Sequence, residues 1–298
     1  MFADALSTLY LGDCREVMAE MGEQSIDTVV TDPPYGLELM GHGWDRIGGG
    51  AEQQRWHETW AREAYRVLKP GGHLLAFGAP RAFHRLTAAV EDAGFDIRDC
   101  LMWLYGNGWP KHATVLKPGW EPIVLARRPL DGSLAGNVAA HGTGALNIDD
   151  ARVPLDGPRP LRVAAQGGRT VGTTDLGRWP ATVVLDEVAA AMVDAQSEGA
   201  SRFFYCAKAA PSERDAGLEG VRNSHPTVKP VALMRWLVRL AVPVGGSVLD
   251  PFTGSGTTRL AAIAEGRQFV GIEQSPEYIE IAAGRRATPG FAFDETAI

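Results

Sequence analysis

The sequence predicts an α/β fold built on a mostly parallel sheet, and three observations carry that expectation. Short apolar runs alternate with helical stretches from the N-terminus to about residue 128. Parallel strands need such alternation, because each crossover requires a helix. A strand, a glycine-rich turn, a helix and a second strand follow one another from Val248 to Glu273. Between these regions the periodicity weakens, and residues 129–200 become rich in Gly, Pro and Thr. The expected organisation is one domain formed by residues 1–128 and 201–298, interrupted by an irregular insertion at 129–200.

The elements follow in order. Residues 26–31 form an apolar run ending in Asp32-Pro33-Pro34-Tyr35 and read as a buried strand with a rigid turn. Residues 56–68 place Trp60, Ala64, Tyr65, Val67 and Leu68 on a helical pattern that Pro70 and Gly71 end. Residues 73–77 read as a strand. Residues 81–93 form a helix stopped by Gly94, and 100–104 and 122–126 are further strands. Within the insertion, 188–195 is the clearest helix. Regular structure resumes with a strand at 202–206 and an amphipathic helix at 231–240. The terminal unit comprises a strand at 248–250, a helix from 259 that Gly266 stops, and a strand at 268–273.

The chemistry concentrates at two turns. Proline fixes φ and donates no backbone N–H. The double proline therefore makes a stiff turn carrying a carboxylate, free carbonyl oxygens and an aromatic ring. That set suits a planar group with an exocyclic amine, whose N–H bonds the oxygens accept and whose plane stacks on Tyr35. An ordinary strand-ending turn with a surface Tyr is the plainer alternative. The second turn, Asp250-Pro251-Phe252-Thr253-Gly254-Ser255-Gly256-Thr257, precedes an acid, Glu273, at the end of the next strand. An acid at about that spacing binds a ribose hydroxyl in nucleotide folds. Arg259 stands where the dinucleotide fingerprint has its third glycine, which favours a nucleoside without a pyrophosphate. A tight βα turn with no ligand is the alternative.

Together these motifs resemble the DNA amino-methyltransferases that use S-adenosylmethionine. In that family Asp-Pro-Pro-Tyr is the catalytic motif and Phe-x-Gly-x-Gly the cofactor motif. The catalytic motif comes first here, as in the circularly ordered β class. His225-Pro226-Thr227-Val228-Lys229-Pro230 is similar to a string found just upstream of that family's cofactor strand. Leu11-Gly12-Asp13-Cys14 is similar to its adenine-contacting segment, and Lys69-Pro70-Gly71-Gly72 also fits. The resemblance covers roughly residues 6–128 and 200–288. It implies a Rossmann-like methyltransferase fold, a doubly wound sheet in circularly permuted order. It also implies catalytic Asp32, Pro33, Pro34 and Tyr35, and a cofactor site of Asp13, Asp250, Phe252, Gly254, Gly256, Thr257, Glu273, Thr227 and Lys229. Thr227 and Lys229 would reach the cofactor carboxylate, and Asp13 the adenine amine. Trp44 is a second aromatic candidate near the pocket, with a core position the alternative. The implied partner is double-stranded DNA with a flipped base, and homodimers are frequent in the class.

Composition agrees with that implication. Cys14, Cys100 and Cys206 are scattered with no C-x-x-C pair, so neither a zinc site nor a disulfide framework is expected, and the chain suits a reducing compartment. The N-terminus lacks a basic region followed by an apolar core, and no apolar stretch is long enough to cross a membrane. A cytoplasmic, DNA-associated location in a prokaryotic or phage-infected cell follows as an expectation. The net charge of −7 shifts attention to local charge. Arg152, Arg159, Arg162, Arg169 and Arg178 face only Asp156 and Asp175 in the insertion, and Trp109 with Lys111 forms a second polar–aromatic loop. In the resembled family an insertion here recognises the target. Arginines of this kind suit phosphates and guanine edges, or simply solvate a loop. The expected activity is methylation of adenine N6, with cytosine N4 the alternative, since Asp at the first motif position leans to adenine in the family. A nicotinamide-dependent oxidoreductase leaves Asp-Pro-Pro-Tyr unexplained. Glutamine-modifying protein methyltransferases carry Asn at that first position and the opposite motif order. A non-catalytic DNA-binding module would not need intact Asp32, Tyr35 and Glu273.

Overall fold

The computed structural model describes residues 1–38, 41, 43–108, 110, 113–155, 159–163, 169–207, 214–218, 220 and 222–286. Its strands in chain order are β1 (Phe2–Ala3), β2 (Ser7–Leu11), β3 (Ile26–Thr31), β4 (Leu68–Phe77), β5 (Asp96–Leu104), β6 (Trp120–Arg127), β7 (Arg159–Val163), β8 (Arg169–Thr174), β9 (Val183–Asp186), β10 (Tyr205–Ala207), β11 (Ser247–Asp250) and β12 (Gln268–Glu273). β7 and β8 form a separate antiparallel hairpin. The others join one sheet in the order β1-β2-β12-β11-β3-β4-β6-β5-β9-β10. The helices are α1 (Cys14–Ala19), α2 (Ala51–Val67), α3 (Phe83–Asp92), α4 (Leu134–His141), α5 (Glu187–Ser197), α6 (Val231–Ala241), α7 (Thr257–Ala264) and α8 (Pro276–Gly284). None of the described helices is long and apolar enough to cross a membrane.

Both faces of the sheet centre are covered, which is why its strands read as unbroken apolar runs. Successive strand residues point to opposite faces. Val29, Leu74 and Leu249 pack with Met18 of α1, Trp60 and Ala64 of α2, and Leu86 and Val90 of α3. Their neighbours Val30, Leu75 and Val248 pack with Leu233, Trp236 and Leu237 of α6, Ala261 of α7 and Ile279 of α8. This is the doubly wound arrangement expected from the sequence.

One feature refines the expected, mostly parallel sheet, and two differ from expectation. The sheet is not wholly parallel: β6 runs antiparallel to both β4 and β5. Among the described residues no helix separates β5 from β6, and the chain returns in the opposite direction. The predicted strand at 202–206 begins instead as a 3-10 turn, Ala200–Phe203, before β10. Finally, the stretch 129–200 is only partly separate from the sheet. β9 pairs in parallel with β5, and α5 packs beside it, so both extend the main sheet. Weak periodicity in a short edge strand hides such an addition. The start of the stretch is also docked. Asn137 is fully buried; its amide donates to the Pro70 carbonyl (2.9 Å) and the Thr143 carbonyl (2.8 Å), and its oxygen accepts the Asp131 N–H (2.8 Å). Gly71, at φ +76°, leaves room for it, since a Cβ there would lie 2.4 Å from the Asn137 amide nitrogen. Asn137→Ala strands these buried partners and should lower unfolding free energy by about 3 kcal/mol. A denaturation midpoint matching wild type would show that the segment does not depend on this anchor.

Candidate active site

β3 and β11 lie side by side and parallel at the centre of the sheet. From them the chain winds outward both ways, through β4 on one side and through β12 and β2 on the other. Their carboxyl ends therefore flank the switch point where ligands bind in open α/β sheets. The two predicted turns, tied by a bond between residues 219 positions apart, meet there. Thr31 at the end of β3 donates its hydroxyl to Asp250 (2.7 Å), and Thr258 does the same from α7 (2.5 Å). The Phe252 N–H completes the cage at 3.1 Å. Burial still raises the Asp250 pKa to about 6, against these hydrogen bonds, with the Asp32 charge adding to it.

The Asp32-Pro33-Pro34-Tyr35 turn is held by residues whose roles sequence reasoning did not assign. Asp45, buried on the following loop, accepts the backbone N–H groups of Tyr35 (2.8 Å), Gly36 (2.9 Å) and Leu37 (3.0 Å). Gln53 of α2 donates to the Tyr35 carbonyl (2.7 Å). Inside the turn, Tyr35 donates its hydroxyl to Asp32 Oδ1 (2.6 Å) and lies 3.1 Å from Glu121 Oε2. Lys229 places its ammonium 2.6 Å from Asp32 Oδ2, 3.3 Å from Glu121 Oε2 and 3.3 Å from the Tyr35 hydroxyl. Its three donors are thus all engaged. Burial would lower the Lys229 pKa, but the Asp32 and Glu121 charges outweigh it and hold the pKa well above normal. The Tyr35 phenol is pushed well up by burial and by the same two carboxylates, so it stays neutral. Lys229 was expected at the cofactor carboxylate; in this structure its ammonium lies at the Asp32–Tyr35 turn, where two acids converge. Glu121 opens β6 with a lone acid beside an apolar run, a pattern too common in sequence to single it out.

At the other end, Glu273 accepts one backbone N–H on each oxygen, from Gly254 (2.8 Å) and Ser275 (2.8 Å), and burial raises its pKa. The glycine turn therefore orients the acid. Packing within the chain also requires its glycines. A Cβ on Gly254, at φ +51°, would lie 2.8 Å from the His225 ring, and one on Gly256, at φ +80°, would lie 2.9 Å from Ala282 of α8. Arg259, in place of the third fingerprint glycine, is buried and ties Asp4 (2.5 Å), Ser7 (2.8 Å) and the Arg285 carbonyl (2.9 Å) together. Phe252 packs against Trp56 and Trp60, with ring centroids 5.8 and 5.5 Å away. Trp60 donates to His57, which burial holds neutral with a pKa of about 3. Asp13 caps α1 through the Arg15 N–H (2.8 Å), and the Arg15 side chain covers both its oxygens and lowers its pKa.

One cavity of about 470 Å³ joins these groups. It brings together Asp32, Pro33, Pro34, Tyr35, Trp44, Thr227, Lys229, Asp13, Phe252 and Glu273, and adds Glu121, Trp56 and Tyr105. Trp44 stacks on His225 at 6.3 Å. Asp250, Gly254, Gly256 and Thr257 do not line the cavity. Thr257 instead accepts a hydrogen bond from Arg285 (3.0 Å). In the insertion, Arg152 is spent locally on Asp149 (2.8 Å) and on the Trp179 ring, and Arg178 on the Arg202 carbonyl (3.0 Å) and the Phe203 ring. Arg159 and Arg162 fall on β7 and Arg169 on β8. Trp109 and Lys111 lie outside the described residues.

Fold and cavity define an α/β protein whose acid–proline–aromatic turn and the strand-end acid Glu273 line one cleft at the switch point. A family model described as DNA methylase matches residues 26–284. Over 94% of its length the chain is 24% identical to type II methyltransferase M.HindIII of Haemophilus influenzae, covering 95% of that protein. It is 25% identical to M2.DpnII of Streptococcus pneumoniae over 92% of this chain and 87% of that one. Among solved structures, the cytosine-N4-specific PvuII DNA methyltransferase shares the fold with a TM-score of 0.64 at 18% identity, over 97% and 89% of the two chains. The M1.HpyAVI–SAM complex aligns with a TM-score of 0.54 at 20% identity, over 93% and 97%. The chain belongs to the N6/N4 DNA methylase family. The oxidoreductase reading is thereby set aside.

Asp250 provides a test of the turn-to-turn link. A carboxyl whose folded pKa is raised stabilises the fold below its unfolded value of 3.8 and loses that contribution as pH rises through about 6. Asp250→Asn lacks this titration. Its unfolding free energy relative to wild type should improve by about 2–3 kcal/mol between pH 4 and pH 7. Parallel curves across that range in chemical denaturation would contradict the assignment.

Proposed function

We propose that this DNA methyltransferase transfers a methyl group from S-adenosylmethionine to the N6 amine of a flipped-out adenine in duplex DNA. The observation that carries the reading is the convergence of Asp32-Pro33-Pro34-Tyr35 with Phe252 and Glu273 in one cavity at the switch point. The donor set suits the cofactor. Glu273 keeps lone pairs free on a buried, backbone-anchored carboxylate, which fits vicinal hydroxyls. Phe252 and Trp56 supply apolar ring surface, and Asp13 and Thr227 are polar groups at the cavity wall. When bound, the cofactor supplies an electrophilic methyl on a sulfonium, so neither a metal nor an enzyme nucleophile is required.

The chain's own residues prepare the acceptor. An aromatic amine is a weak nucleophile because its lone pair is delocalised into the ring. Asp32 and the Pro33 carbonyl accept its N–H bonds, draw the nitrogen toward tetrahedral geometry and stabilise the charge that develops on it. Lys229 and the Tyr35 hydroxyl hold the Asp32 carboxylate in one orientation for that contact. Asp32, directly or through water, takes the departing proton. Tyr35 offers its ring to the base, and Asp45 fixes the backbone that presents it. The Asp at the first motif position supports adenine over cytosine N4. The β7–β8 hairpin, with Arg159, Arg162 and Arg169, is the part of the insertion assigned to the target sequence. Relatives of the type II class place the activity in restriction–modification.

Expression in a methylation-free host followed by modified-base sequencing should reveal N6-methyladenine at a fixed motif. N4-methylcytosine would move the assignment to cytosine, and cofactor binding without any methylated amine would sink the reading. Asp32→Ala should lower the methylation rate by at least about 10²-fold while leaving cofactor affinity close to wild type; retained activity would remove Asp32 from its role.

A further inference from the structure

Resting on the methyl-transfer reading, we propose that Glu121 is a positioning residue that sets the charge of the catalytic turn, leaving it one unit negative opposite the target amine. Three ionised groups meet at the turn: Asp32, Glu121 and Lys229. The ammonium lies 2.6 Å from Asp32 and 3.3 Å from Glu121. It is nearly buried, with a side-chain exposure of 9%, and the Tyr35 and Phe77 rings lie 5.5 and 5.0 Å away. The Tyr35 hydroxyl bridges both carboxylates without adding charge. Tyr105 also lines this part of the cavity, and its phenol is likewise pushed up by burial and by Glu121.

Asp32 and Lys229 alone form a neutral pair. Such a pair orients a hydrogen bond but offers little net attraction to a cation. The reaction creates one. The amine lone pair becomes the N–C bond, the pair of the broken C–S bond stays on sulfur, and the nitrogen is positive until one N–H proton departs to Asp32 or water. Glu121 brings the cluster of Asp32, Glu121 and Lys229 to a net charge of −1, matched to that transient charge. In a partly desolvated cavity an unbalanced charge acts far more strongly than in water.

Charge bookkeeping makes the test specific. Glu121→Gln keeps the shape and leaves the cluster neutral. Its single-turnover methylation rate should fall about 10²-fold, with S-adenosylhomocysteine affinity by calorimetry within about 2-fold of wild type. Glu121→Asp should recover part of the rate. The double variant Glu121→Gln with Lys229→Met restores the single negative charge and should methylate faster than Glu121→Gln alone. A purely structural Glu121 would make the two losses multiply. A wild-type rate in Glu121→Gln, or multiplied losses in the double variant, overturns the inference and leaves the methylase reading standing. A wild-type enzyme that binds S-adenosylhomocysteine yet methylates no amine overturns both.

Discussion

The active site depends on one constraint: β3 and β11 are neighbours in the sheet although most of the chain lies between them. Their pairing sets the catalytic acid and the glycine turn at the same edge. The bond from Thr31 to the buried Asp250 ties the two turns directly. Asp250 never reaches the cavity; it is the fastener behind it, also gripping Thr258 at the start of α7 and the N–H of Phe252. Strand order explains why a ligand belongs here. Only where the winding reverses do adjacent crossovers part and leave a crevice at the strand ends.

Around that crevice the same device recurs. A carboxylate is buried and then satisfied by backbone or by a cation, so that its geometry is determined before any ligand arrives. Asp45 gathers three N–H groups and sets the catalytic turn. Glu273 takes two and faces the opposite end. Asp32 takes the Tyr35 hydroxyl and the Lys229 ammonium. Preorganised groups of this kind cost no rearrangement during the reaction. The aromatic neighbours serve the same end: Trp60 and Trp56 wedge Phe252 into place, and neutral His57 steadies Trp60.

The elements that were legible in sequence share a property. Residues 26–31, 248–250 and 268–273 are apolar because both faces of the central sheet are covered, and Pro or Gly ends the helices beside them. The Asp32–Tyr35 turn and the glycine-rich turn were legible because their patterns are local, written in consecutive residues. What escaped notice was long-range. Glu121 and Gln53 look like ordinary polar residues until β6 and α2 bring them to the turn. β9 looked like part of an irregular insertion because an edge strand four residues long has too little pattern to betray its partner. The arginines of residues 152 and 178 read as free positive charge, yet they are engaged with Asp149, local carbonyls and aromatic rings.

By itself, the order of residues determined the fold class, the two turns and their family, since each rests on short-range constraints of periodicity, proline rigidity and side-chain chemistry. Tertiary structure alone decided how those parts are used. It placed the Lys229 ammonium beside the Asp32 carboxylate, packed Gly254 and Gly256 against His225 and α8, and brought Glu121 to the same ammonium. The physical reason is that charge balance and close packing are properties of groups meeting in space. Their partners lie tens to hundreds of residues away, and no local pattern names them.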